Sequence, residues 1–304
     1  EKWIQARMDQ VLPIPYFHVV FTLPSDLNQL CLRYPKQLYN ILFSASWETI
    51  QTFSKDTKYL GAKSGMISIL HTWGQNLSLH PHLHCMVPSG GINKQKQWKQ
   101  TCGNGKYLFP VKAMSKVFRT LFLKQLKQLR NKGEIHHVGL QSLVDTLFNK
   151  PWVVYAKSPF LGVKSVVEYL GRYSHKIAIS NHRIKAIKHN QVCFTYKNYK
   201  TNQNTLMCLK AKEFIRRYIQ HILPKGFVRI RHFGICASRN KAILTDIRKQ
   251  LLKKYALKVK PLMYPQWSKK TILCCKCKKG IMKNRKKILP IRDGPFTNLG
   301  ILWN

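Results

Sequence analysis

The sequence predicts an α+β fold: an antiparallel sheet with flanking helices, followed by a basic C-terminal extension. Three observations lead there. Short apolar, β-branched runs read as strands, and stretches of helical periodicity lie between them. The strands are joined by hairpin turns, without the regular alternation of strand and helix that a parallel sheet needs. With 304 residues and 44% hydrophobic content, the chain can bury a real core in one large domain or two small ones.

Taken in order, YFHVVFTLP (16–24) is rich in β-branched and aromatic residues and closes on proline, as a buried strand does. Ser25 and Asp26 offer an N-cap to a helix that Pro35 ends or kinks. MISILHTWG (66–74) and LHCMVPSGG (83–91) read as neighbouring strands, the second ending in a glycine turn. From 113 to 129, Met114, Val117, Phe118, Leu121, Phe122, Leu126 and Leu129 repeat with helical spacing. WVVYA (152–156) is a short strand. SVVEYLGRYS (165–174) suits a helix, and KIAIS (176–180) with Asn181-His182 suits a strand and turn. QVCFTYK (191–197) and TLMCLKA (205–211) form a hairpin around Asn202-Gln203-Asn204. KEFIRRYIQHIL (212–223) is an amphipathic helix stopped by Pro224, FVRIRHFG (227–234) a strand, and KAILTDIRKQLLKKY (241–255) a basic helix. The domain organisation expected is a remnant of an N-terminal segment at 1–15, the main domain at 16–236, and a basic helix and tail at 237–304.

Charge sets the partner. Fifty-three Lys and Arg against eleven Asp and Glu give a formal +42, spread along the whole chain. A polyanion is the natural counterpart, because each neutralised phosphate releases condensed counterions. Nucleic acid is favoured over an anionic membrane, since no long basic amphipathic helix carries a lipid-facing stripe. No apolar run is long enough to span a bilayer, and the opening EKWIQARMDQ lacks the apolar core of a signal peptide, so a cytoplasmic protein is expected. Cys31, Cys85, Cys102, Cys193, Cys208 and Cys236 are scattered, as reduced thiols are. The eleven acids never cluster in the sequence, which argues against a carboxylate-built two-metal nuclease.

That leaves the histidines and tyrosines. In LSLHPHLHCMVPSGG (77–91), His80, His82 and His84 recur at every second position. Alternate residues of a strand share a face, so His82 and His84 stand side by side, about 7 Å apart at the backbone. Paired imidazoles can begin a divalent-metal site, or simply line a polar strand face. Tyr169 and Tyr173 lie four apart on the helix expected at 165–174, on one face, a spacing that by itself usually marks a core pair, but with Glu168, Arg172, His175 and Lys176 around them. A phenol has a pKa near 10, so a nucleophilic tyrosine needs nearby cations or a polarised substrate. At the C-terminus, CCKCKKG places Cys274 and Cys277 at the spacing of half a zinc site. Tyr196, Tyr199 and Phe227 are aromatics interleaved with cations, able to stack on bases of single-stranded DNA, although each such residue taken alone is more often part of a core.

FTLP, then HPHLHC with its following Gly-Gly, then YLGRY, then EFIRR and LPKGFVRIRHFG together resemble the rolling-circle transposases of the IS-ninety-one-like insertion elements. These form a two-tyrosine class of the HUH superfamily of single-strand DNA nucleases, named for a His-hydrophobic-His motif. The resemblance runs from about residue 16 to 234. It implies an HUH-nuclease-like fold, with His82 and His84 holding Mg²⁺ or Mn²⁺ at the scissile phosphate. A third ligand comes from His80, with Gln75 and Glu168 as alternatives. Tyr169 and Tyr173 would be the catalytic pair, one attacking to leave a 5′-phosphotyrosine and a free 3′-OH, the other allowing a further transfer. The implied partners are single-stranded DNA at the element ends and at the target site, with no membrane; bound to DNA, the protein would sit at the nucleoid of a prokaryote. Relatives carry an N-terminal cysteine-rich zinc segment, which is not found ahead of Glu1; Zn²⁺ at Cys274 and Cys277 is a second metal expectation. The same site would serve a replication initiator or relaxase, and a DNA-binding remnant without catalysis is the reading from another class. Target sequence, the order of the tyrosines and oligomeric state are not encoded in these motifs.

Overall fold

The computed structural model describes residues 11–160, 171, 178–198, 201–254, 272–273, 277 and 281–282. Strands β1 (Tyr16–Thr22), β2 (Gly65–Trp73), β3 (Leu79–Pro88), β6 (Val154–Phe160) and β10 (Ile230–Gly234) form a five-stranded sheet in the order β10-β2-β3-β1-β6. Every neighbouring pair in it is antiparallel. The α+β class read from the sequence holds, with helices flanking the sheet in a manner consistent with an HUH-like fold. Small strands β4 (Gly90–Ile92) and β5 (Trp98–Gln100) make a hairpin after β3, where Lys99 and Trp98 leave no space for a Cβ at Gly90. Strands β7 (Ile184–Lys188), β8 (Gln191–Asn198) and β9 (Gln203–Lys210) form a separate three-stranded sheet.

Alternation divides the main sheet into two faces. Phe17, Val19 and Phe21 of β1, with Leu83, Cys85 and Val87 of β3, point into the main core. Helices α1 (Asn28–Arg33), α2 (Pro35–Lys55), α3 (Val111–Asn131) and α4 (Leu140–Asn149) contribute much of that core, including Leu38, Leu42, Phe43, Phe118, Phe122 and Leu147. Pro35 both ends α1 and opens α2, since a proline at the first helical position lacks only an N–H that would have had no partner. The opposite face is covered at one end by Leu244, Ile247 and Leu251 of α6 (Lys241–Lys254), together with Val11, Leu12 and Ile14. Tyr16, Ile67, Ile69 and Met86 supply the sheet's side of this second core. Its other end carries the histidines.

The helix α5 (Ala211–Ile219) turns Phe214 and Tyr218 onto Phe194, Met207 and Leu209 of the small sheet. Residues 178–180 are not a strand, as KIAIS suggested, but irregular chain, with Ala178 at φ 49. Cys193 and Cys208, expected as separate reduced thiols, lie directly across β8 and β9 and are joined as a disulfide. The chain divides into two compact units, Glu1–Leu257 and Lys258–Asn304. In the second, β11 (Ile272–Leu273) pairs with β12 (Ile281–Met282), and Cys277 lies in the turn between them. Among the described residues, no helix is long and apolar enough to cross a membrane.

Candidate metal centre

The β2–β3 ladder sets His71 directly opposite His82 and Ile69 opposite His84. On the other side of β3, Val20 stands opposite His84 and His18 opposite Met86. Directly paired residues share a face, so His18, His71, His82 and His84 all project to the side opposite the main core. The single ligand-type nitrogens of His71, His82 and His84 lie within 4.8 Å of one another. Nε2 of His82 is 3.1 Å from Nε2 of His84, and Nδ1 of His84 is 2.9 Å from Nε2 of His18. The Nδ1–H of His82 donates to the carbonyl of His80 at 2.6 Å, which leaves its Nε2 with the lone pair. His71 is itself braced by Trp73, the two rings stacking at 4.6 Å.

Burial sets the charge state. It pulls His82 down to about 4, helped by the neighbouring His80 and His18, while the hydrogen bond to the His80 carbonyl works the other way. His18 also falls to about 4, through burial first and the positive charge of Lys157 second. His84 is driven further below the usual imidazole range by burial and then by the charges of His82, His71 and His18. Neutral imidazoles keep their lone pairs, which is the state a metal ligand must be in. Two nitrogens about 2.1 Å from one ion stand roughly 3.0–3.6 Å apart at ordinary ligand angles. The His82–His84 separation of 3.1 Å already meets that spacing, and the ligand nitrogen of His71 lies within 4.8 Å of both. The donor set therefore fits a single divalent cation.

Of the residues singled out from the sequence, His82 and His84 are brought together. His80 sits outside the cluster with an exposed side chain, 5.1 Å from the His82 ring centroid, and contributes its backbone carbonyl instead. Gln75 lies in the turn before β3, its carbonyl held by Arg183. Tyr169, Tyr173, Glu168 and Cys274 lie outside the described residues; Gly171, between the tyrosines, is helical and buried. Among the DNA-stacking candidates, Tyr196 packs against the small-sheet core and Phe227 against the main core, while Tyr199 is outside the described residues.

The reading of the sequence missed His71 and His18. His71 had a partial signal, its place in a strand beside the His82–His84 strand, but the closing pair Trp73–Leu79 and a register shift between His71 and Trp73 put the 71–82 pairing beyond simple counting from the turn.

The turn between these strands is clamped from the small-sheet module. Leu77 adopts φ 62 and inserts its fully buried side chain against Ala178 and Phe194. Arg217 donates to the Asn76 carbonyl at 3.2 Å, and His221 donates from Nε2 to the Leu77 carbonyl at 3.2 Å. Thr72 donates its hydroxyl to Nδ1 of His221 at 3.2 Å, closing the connection back to β2.

Fold and site thus define an α+β protein with a cluster of imidazoles on an antiparallel sheet that could hold a metal ion. Residues 65–242 match the model of the Y2_Tnp family, described as "Putative transposase", and the chain belongs to that family. It is 39% identical over 249 residues to "Putative transposase y4qJ" of Sinorhizobium fredii (strain NBRC 101917 / NGR234), covering 78% of this chain and 62% of that protein. It is 29% identical over 244 residues to "Transposase for insertion sequence element IS801" of Pseudomonas savastanoi pv. phaseolicola, covering 79% and 58%. The chain therefore spans about three fifths of the length of these two relatives. No solved structure matches it significantly.

Proposed function

We propose that this chain cleaves and rejoins single-stranded DNA as the catalytic part of an insertion-sequence transposase. The observation that carries the reading is the His71–His82–His84 cluster on β2 and β3, inside the segment that matches the family. The names of the two relatives favour a transposase over a replication initiator or relaxase.

His71, His82 and His84 would hold the cation, with His71 taking the third place that the sequence left to His80, Gln75 or Glu168. The bound ion would supply Lewis acidity at the scissile phosphodiester. The remaining chemistry belongs to side chains. One phenol oxygen, of Tyr169 or Tyr173, attacks phosphorus as its proton leaves. The bond to the 3′-oxygen breaks, and that oxygen takes up a proton. The product is a 5′-phosphotyrosine with a free 3′-OH, and because one phosphodiester replaces another the step reverses without ATP. The second tyrosine permits a second transfer while the first is occupied. Lys157 on β6, which lowers the pKa of His18, places positive charge beside the histidines. A formal +42 favours any DNA strand at this surface.

The test incubates the chain with single-stranded DNA carrying an element end, with and without Mn²⁺, and resolves the products on a denaturing gel. A metal-dependent covalent adduct is expected, abolished in the Tyr169→Phe/Tyr173→Phe double variant and in His82→Ala. Salt-sensitive binding without an adduct under any divalent metal would instead identify a DNA-binding protein without catalysis.

A further inference from the structure

We infer that His18 is a positioning residue, setting which nitrogen of His84 carries a proton and therefore whether His84 can bind a cation. The inference rests on the metal-centre reading above and deepens it. His82 needs no such helper, because its Nδ1–H is committed to the carbonyl of His80. For His84 the corresponding partner is a side chain: Nε2 of His18, 2.9 Å from Nδ1. His18 is 9% exposed, and its ring lies 17° from parallel to that of His84, with centroids 5.2 Å apart. It reaches across diagonally, since its direct opposite on β3 is Met86.

Two proton arrangements preserve the hydrogen bond between His18 and His84. In one, Nε2–H of His18 donates to Nδ1 of His84, and Nε2–H of His84 donates to the bare Nε2 of His82, 3.1 Å away. In the other, Nδ1–H of His84 donates to Nε2 of His18, and the Nε2 atoms of His82 and His84 meet at 3.1 Å with a lone pair each and no proton between them, a contact that a bound cation would satisfy. Only the second offers His84 as a ligand. Each ring keeps one proton throughout: His84 exchanges Nε2–H for Nδ1–H, and His18 does the same. The exchange needs a residue at position 18 that can both donate and accept, as an imidazole does. A glutamine amide can do so by turning over; a leucine cannot.

The experiment compares the full chain with His18→Leu and His18→Gln. Mn²⁺ affinity is read from the electron paramagnetic resonance of free Mn²⁺, and thermal melting is followed without metal. Loss of the partner should weaken Mn²⁺ binding about 10- to 100-fold in His18→Leu, the usual effect of removing a hydrogen-bond partner of a ligand. His18→Gln should recover binding to within a few-fold. A purely structural role predicts that affinity follows the melting temperature in both variants, and that result overturns the inference, as does wild-type affinity in His18→Leu. Histidine-labelled protein adds a readout that needs no metal: a ¹⁵N–¹⁵N coupling through the hydrogen bond between Nε2 of His18 and Nδ1 of His84. Its absence also overturns the inference. Wild-type protein that shows this coupling but binds neither Mn²⁺ nor Zn²⁺ retains the His18–His84 bond and overturns the claim that it governs a metal site. That outcome counts against the metal centre itself, whereas tight wild-type binding with an indifferent His18→Leu counts against His18 alone.

Discussion

His71 and His82 face one another across the β2–β3 ladder, their ring centroids 5.5 Å apart and their planes nearly perpendicular. Direct pairing in an antiparallel ladder fixes both rings to one face without help from any loop. The donor set it creates with His84 is all nitrogen, and imidazole prefers first-row transition ions to Mg²⁺.

The first prediction concerns that set. Replacing His71 by Ala should lower Mn²⁺ affinity by about 100-fold or more, exceeding the loss of an outer hydrogen-bond partner. His80→Ala should change it less than about threefold, because alanine keeps the carbonyl that fixes His82. Calorimetric titration of the two variants decides the third ligand: a large loss in His80→Ala with little in His71→Ala would return that place to His80.

Much of this arrangement was legible in the sequence. The strands β1, β2 and β3 announced themselves as apolar runs bounded by proline and glycine, and alternation alone paired His82 with His84. The helix α3 followed from its apolar period. The 21-residue helix α2 does not, because a proline at 35 marks a helix end in the sequence and here also begins the next helix. His71 needed the register of the hairpin as well as the face of each strand. His18 needed more, for its contact with His84 depends on which strand lies on the far side of β3, and β1 is separated from β3 by two helices and β2. The Cys193–Cys208 bond could have been drawn from the hairpin, whose turn lies midway between the two cysteines. The tyrosine pair was legible as sequence spacing, and its position in space belongs to residues outside the described ones.

The buried imidazoles make stability depend on pH. His18 and His82 are held down to about 4, against an ordinary value of 6.5, chiefly by burial. Above 6.5 both rings are neutral whether the chain is folded or unfolded. Below it the unfolded chain binds protons that the folded chain refuses, so unfolding becomes easier as pH drops from 6.5 towards 4. Urea unfolding of the metal-free protein at several pH values across this window should show a steady fall in stability, with a smaller slope in His18→Gln. An unchanged slope in that variant would mean that His18 is not buried in its neutral form.

Leu77 offers a mechanical prediction. Its side chain is the point at which the β2–β3 turn enters the core of the small sheet, next to Phe194. Truncation to Ala should cost about 2–4 kcal/mol, as for other fully buried leucines. The turn joins the strands that carry His71 and His82, so Mn²⁺ affinity should fall with it. Hydrogen exchange should show β8 and the Gly74–Ser78 turn losing protection, while β1 retains it. Equal loss in β1 would mean global unfolding and not release of the clamp.

The final prediction tests whether the proposed single-stranded DNA partner contacts this face. Val20 pairs with His84 on one side and with Tyr155 of β6 on the other, so Tyr155 shares the face of the histidines. Two strand spacings place it about 10 Å from His84. It is 54% exposed, so its ring is accessible to a base. Lys157, opposite His18 on the same strand, adds a cation next to it. An exposed ring with an adjacent positive charge is the pairing that seats a base and its phosphate. Tyr155→Ala should weaken binding of single-stranded DNA by roughly 1–3 kcal/mol, and Tyr155→Phe should leave it nearly intact. Lys157→Gln should lower the slope of log affinity against log salt by about 0.7, the contribution of one phosphate contact on a single strand. Mn²⁺ affinity, measured alongside, should stay constant in Tyr155→Ala because that ring touches no ligand nitrogen. If Tyr155→Phe loses as much DNA affinity as Tyr155→Ala, the hydroxyl and not the ring face makes the contact, and stacking at this position is excluded.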